Sequence, residues 1–183
     1  MSGEVDDGGP VDARPLVVTL ALDAASQERL DALRRAHFPA DRNHLPAHVT
    51  LFHALPGEEV ALVRGLLDEE ARTGPFAVRV GEVQRLGRGT ALRLVASELD
   101  GLHARLLRRL RAELGDDALT AQDRQRLRAH VTVQNKVTPD AARQLADRLE
   151  VDIAPWTAQA EALELWRYDG GPWALEDTVP LTP

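Results

Sequence analysis

Ala47-His48-Val49-Thr50-Leu51 and Ala129-His130-Val131-Thr132-Val133 are two copies of one short pattern, and reading them together decides the fold. Each sets a histidine and a threonine two residues apart, with an aliphatic residue between them and another after. Side chains on a strand alternate between faces. His48 and Thr50 therefore share one face and Val49 and Leu51 the other; His130 and Thr132 likewise oppose Val131 and Val133. Each copy is followed by a proline and an acidic helix start, Pro56 before Glu58 and Pro139 before Asp140. The copies lie about half a chain apart. This predicts two related halves, each giving one strand and one histidine. Strands side by side at a pseudo-twofold axis would bring both His-Thr pairs into one cleft.

Outward from these copies the punctuation is regular. Leu16–Leu22 reads as a buried strand, Ser26–Ala36 as a helix and Val49–Leu55 as a strand ended by Pro56-Gly57. Glu58–Arg72 follows as an amphipathic helix stopped by Gly74-Pro75. Phe76–Val83 and Ala91–Val95 form a hairpin around Gly87-Arg88-Gly89. Leu99–Leu114 is a helix striped with leucines and stopped by Gly115. A polar connection leads to a strand over Val131–Val137, then a helix to Leu149 with Thr138 as N-cap and Pro139 in its first turn. Trp156–Tyr168 and Trp173–Leu181 make a closing hairpin. Local hairpins imply antiparallel pairing. The class is α+β, with residues 14–183 as one domain and 1–13 as a flexible acidic, glycine-rich tail.

The 183-residue chain is 44% apolar and 28% charged, with a net charge of −7. Proteins that grip long nucleic acid through many phosphates are usually basic. The expected partner is thus a small nucleotide or an RNA end rather than long RNA or DNA. All 22 basic residues except Lys136 are arginines. The absence of cysteine removes disulfides, zinc thiolates and thiol nucleophiles. No apolar run reaches membrane-spanning length and the first residues carry no apolar leader, so a cytoplasmic protein without membrane partners is expected. No His-x-x-x-His or carboxylate partner at fixed spacing suggests a metal cage, and no cofactor is expected. Nothing in the sequence sets the oligomeric state.

Two imidazoles and two hydroxyls in one cleft suit displacement at phosphorus. One histidine takes a proton from the attacking oxygen and the other gives one to the leaving oxygen. The hydroxyls hydrogen-bond the non-bridging phosphate oxygens. On these residues the chain resembles the two-histidine (2H) phosphoesterase superfamily, which includes RNA 2′,3′-cyclic phosphodiesterases, also called 2′-5′ RNA ligases. The resemblance implies a bilobal, duplicated α+β fold with antiparallel sheets flanked by helices and the active-site cleft between pseudo-symmetric lobes. It implies His48 and His130 as acid and base, Thr50 and Thr132 as phosphate holders, and opening of a 2′,3′-cyclic phosphate without metal. The alternatives are 2′-5′ RNA ligation and non-catalytic nucleotide binding.

Phe52 and Gln134 continue the histidine faces at i+4 and are candidate substrate-binding residues, Phe52 by stacking on a base. Arg128, two residues before His130, and Lys136, in phase with it, are candidate phosphate contacts. His53 falls on the face opposite His48, which predicts packing. His37 and His103 are expected at helix surfaces, and Pro46 blurs the direction of His44. Arg105, Arg108, Arg109, Arg111, Arg124 and Arg126 read as a solvated helix face more than a phosphate track. Tyr168 and the tryptophans are expected in hairpin packing.

Overall fold

A computed structural model describes residues 12–168 and 170–183. Most of the expected tail, residues 1–11, lies outside the described residues. Asp12, within that tail expectation, is held in place: its carboxylate pairs with Arg14 at 2.6 Å and its carbonyl accepts from buried Arg167.

In chain order the elements are β1 (Leu16–Leu22), α1 (Ala24–His37), β2 (Val49–Leu55), α2 (Val60–Glu70), β3 (Phe76–Arg85), β4 (Thr90–Val95), α3 (Ser97–Leu114), β5 (His130–Gln134), α4 (Pro139–Asp152), β6 (Trp156–Arg167) and β7 (Ala174–Pro180). Helix ends follow their caps. α1 starts ahead of Ser26 because the Asp23 carboxylate accepts from the Ser26 amide at 2.9 Å. Thr138 caps α4 as expected, with Pro139 at its first position. The expected 58–72 helix is α only over Val60–Glu70, with a 3-10 turn at each end. β5 stops at Gln134 rather than Val137, because Lys136 takes a left-handed φ of 58°. Lys136 therefore leaves the strand and its phase with His130 is lost.

The strands join one antiparallel sheet in the order β2-β1-β6-β3-β4-β5, with β7 also paired to β6. Exchanging β1 with β4, β2 with β5 and β3 with β6 reverses this order onto itself. The exchange matches α1 to α3 and α2 to α4, so the duplication seen in two pentapeptides extends to the architecture. The β3–β6 pairing, centred on Val78 opposite Ala158, lies at the pseudo-twofold. β6 serves both lobes: β3 pairs with its first half, β7 with its second, and β1 runs along the other edge from Ala160 to Arg167. The sheet curls until its end strands, β2 and β5, touch. Leu99, Leu102, Leu106 and Leu110 form the buried stripe of α3, and Val49, Leu51, Val131 and Val133 bury the core faces of the motif strands.

Gly81 interrupts β3 where its register against β4 shifts between Val80 and Glu82. Its φ is 135°, and a Cβ there would stand 2.7 Å from Pro155 Cα. Gly81→Ala is expected to cost about 1–3 kcal/mol of stability, read as a lower urea midpoint with an unchanged m-value.

Candidate active site

The two motif strands carry the same irregularity at the same place. On β2, Thr50 pairs with Thr19 and Phe52 with Val18, so Leu51 is an extra residue. On β5, Thr132 pairs with Ala91 and Gln134 with Thr90, so Val133 is extra. A bulge therefore follows each His-x-Thr and resets the alternation. Up to the bulge the expected faces hold: both histidines and both threonines are half-buried, while the valines between them are sealed in the core.

Past the bulge the faces invert, which corrects three expectations. Phe52 is 0% exposed and stacks on His103 at 4.8 Å, so it cannot take a base. Gln134 is buried, with Oε1 shut off from solvent, and does not line the cleft. His53 instead turns to the cleft side and lines a cavity with Thr50 and His130. His103, expected at the surface, is buried beneath Phe52 and bonds the Leu51 backbone. Arg128 stays exposed at the rim of the His53 cavity.

The histidines are held alike. His48 Nδ1 lies 2.9 Å from the Pro46 carbonyl and His130 Nδ1 lies 2.8 Å from the Arg128 carbonyl, each two residues back. A carbonyl only accepts, so each Nδ1 carries its hydrogen and Nε2 is the free ring nitrogen. α1 grips both strands. Asp31 accepts from the Ala47 amide at 2.6 Å, and Gln27 donates to the Ala47 carbonyl at 2.8 Å, fixing the residue before His48. One turn further on, buried Arg34 donates to the Thr132 carbonyl at 2.7 Å. These α1 contacts have no periodic sequence signal.

Burial pushes the His48 imidazole below its ordinary range. The Pro46 carbonyl opposes this, and the charges of Arg34, His130 and His53 add to it. Trp173, from the loop before β7, packs on the His48 ring at 4.8 Å. It also contacts Trp166 and Tyr168, so the closing hairpin reaches the site rather than only packing the core. Across the cleft, His53 Nδ1 donates to Asp123 at 2.7 Å. That carboxylate is fully buried and also accepts from the His53 amide. Burial pushes Asp123 up, but the bonds from His53 and Thr120 outweigh it and leave the carboxyl below its usual range. Asp123 sits in the polar connection before β5, where no pattern marks it.

Arg105 and Arg109, expected on a solvated face, are half-buried in ion pairs with Glu70 and Glu69 of α2, which tie α3 to α2; Arg111 is exposed and pairs with Asp116. Among the described residues no three His, Asp or Glu side chains gather into a metal cluster, and no helix is long and apolar enough to cross a membrane.

A family model described as the 2′-5′ RNA ligase superfamily matches residues 22–172. No curated protein matches the chain. Among solved structures, the protein TT0787 of Thermus thermophilus aligns with a TM-score of 0.67 at 16% identity, covering 91% of this chain and 97% of that one. LigT of E. coli complexed with 3′-AMP aligns with a TM-score of 0.61 at 17% identity, over 94% and 100% of the two chains. The NADP+ complex of LigT aligns with a TM-score of 0.60 at 18% identity, over 93% and 99%. The fold is thus shared with these proteins across nearly their whole length.

Because Arg34 adds to the field on His48, Arg34→Met is expected to move the His48 titration upward toward the ordinary imidazole value. Histidine side-chain NMR across pH 4–8 checks this; an unmoved titration would remove Arg34 from the causes and leave burial with His130 and His53.

Proposed function

We propose, from the premise that the chain belongs to the 2′-5′ RNA ligase superfamily, that it opens a 2′,3′-cyclic phosphate, or a related cyclic phosphodiester, of a nucleotide or RNA end. The observation that carries this reading is the matched pair of imidazoles, each with Nδ1 tied to its own chain and Nε2 left for substrate. Depression of the His48 pKa favours its neutral form, so His48 is the base and His130 the acid. Water attacks phosphorus while His48 Nε2 takes its proton. The bond from phosphorus to one ribose oxygen breaks, and His130 Nε2 protonates that oxygen, leaving a phosphomonoester. Thr50 and Thr132 donate to the non-bridging oxygens as charge builds there. Arg128 at the rim adds a positive charge on the same side.

Two intact His-Thr pairs support catalysis over passive nucleotide binding. The net charge of −7 supports a small substrate over 2′-5′ joining, which needs two RNA ends held together.

Replacing His48 or His130 with alanine is expected to abolish nearly all turnover of 2′,3′-cyclic nucleotides. The double variant should be little worse than either single, because the two act in one proton-transfer sequence. Thr50→Ala and Thr132→Ala should each lose up to about 10²–10³ in kcat. Full activity in either histidine variant would refute the assignment.

The pH profile of kcat/KM is expected to be a bell. Since the folded His48 lies below the ordinary imidazole value of about 6.5, it stays neutral as pH falls through that value, and the acid limb should begin only beneath it. A profile with no alkaline fall would remove the acid from the scheme. A rate abolished by EDTA and restored by a divalent ion would move the chemistry to a metal.

A further inference from the structure

Two cavities flank the histidines, and they differ in charge. One, of about 340 Å³, holds Thr50, His53, His130, Arg126 and Arg128, together with the Asp123 carboxylate that His53 Nδ1 bonds. The other, of about 270 Å³, lies against His48 and is lined by Thr19, Gln27, Asp31, Glu164, Trp166 and Trp173. The second has two carboxylates and no cation, so it repels phosphate.

Its polar groups can be followed one by one. Trp166 donates from Nε1 to Thr19 Oγ1 at 2.9 Å, and that hydroxyl donates to Glu164 Oε2 at 3.2 Å. Both Asp31 oxygens are occupied, by the Ala47 amide and by Gln27 Nε2. Gln27 gives its amide hydrogens to Asp31 and to the Ala47 carbonyl, which fixes its flip and leaves Oε1 as the open end. Glu164 Oε1 and Gln27 Oε1 are open acceptors, and Glu164 Oε2 keeps a second lone pair beside the Thr19 hydroxyl. Among the described residues Glu164 enters no ion pair, although the Trp166–Thr19 relay holds it in place. The cavity asks for a flat, uncharged ligand that brings N–H donors. Trp173 supplies the flat wall and touches His48, so a base stacked there lies one nucleoside away from a phosphate at the histidines.

Resting on the phosphoesterase reading above, we infer that this cavity is a nucleobase subsite selective for guanine. The base stacks on Trp173 and donates its N1–H and 2-amino N–H to Glu164. Guanine alone among the four bases presents two adjacent donors on that edge. Adenine and cytosine present an amino group beside a lone pair, and uracil one N–H between two carbonyls. Each of these points a lone pair at the carboxylate and leaves it short of a donor.

The test uses the full chain with the four 2′,3′-cyclic mononucleotides and the inosine analogue, which lacks the 2-amino group. Equilibrium binding of 3′-GMP and 3′-AMP is followed by tryptophan fluorescence. Guanosine is expected to lead adenosine in kcat/KM by roughly 10- to 100-fold, with inosine well below guanosine. Glu164→Gln should bring the guanosine-to-adenosine ratio close to one, whereas Trp173→Leu should weaken every base alike. The inosine comparison needs only the unaltered protein and so survives a variant that fails to fold. Turnover of all bases at similar rates, or a ratio unmoved in Glu164→Gln, overturns the guanine subsite and leaves the phosphoesterase standing. No turnover of any substrate, with 3′-GMP still bound more tightly than 3′-AMP and losing that margin in Glu164→Gln, upholds the subsite and overturns the hydrolase reading.

Discussion

The guanidinium of Arg34 leaves α1, enters the space between the two lobes and donates to the Thr132 carbonyl at 2.7 Å. No carboxylate stands within ion-pair distance of it among the described residues, and its flat face lies over the Phe38 ring at 4.1 Å. A buried cation held by a carbonyl, an amide oxygen from Asn43 and a ring is costly to desolvate. The return is geometric. The helix that fixes Ala47 also fixes Thr132, so the two His-Thr pairs, on strands at opposite ends of the sheet, are referred to one rigid element. The same charge adds to the burial that favours neutral His48. One side chain thus contributes both to spacing and to the field at the site.

The bulges after Thr50 and Thr132 explain where the sequence was readable. His48, Thr50, His130 and Thr132 sit before the bulge, where strand alternation decides direction, and the structure keeps them on one side as expected. Phe52, Gln134 and His53 sit after it. One extra residue in a ladder inverts every later side chain, and Leu51 and Val133 look like any other strand residues. Helix bounds were readable from Thr138, Pro139 and Gly115, because capping is local chemistry. Arg34, Asp123, Glu164 and Trp173 were not, because each matters through a partner far away in sequence. Asp123 is a case in point: it lies in a polar connection, yet it meets the amide and ring of His53, which β2 presents at the sheet edge.

Charge is sorted across the cleft more sharply than the total of −7 implies. Arg126 and Arg128 lie on the His130 side, where the Asp123 carboxylate is tied to His53, and Asp31 and Glu164 lie on the His48 side. A ligand with a charged end and a neutral, donor-bearing end is therefore oriented before it meets a catalytic group. Orientation of this kind lowers the entropic part of a barrier, and it does so without the broad positive surface that would also attract long polyanions.

The shared strand β6 has a consequence for how the protein comes into being. β1 emerges early in synthesis, but its pairing along β6 must wait for most of the chain; Thr19 and Glu164, which are bonded, are 145 residues apart in sequence. Until then, β1 and β2 form an unfinished ribbon with an open hydrogen-bonding edge, and β3 lacks its neighbour at the pseudo-twofold. Such long-range closure slows the final collapse and lengthens the time for which strand edges are available to other chains. The symmetry that builds the cleft from two similar halves thereby denies either half independence: the lobes are legible as repeats, yet they mature as one late cooperative event.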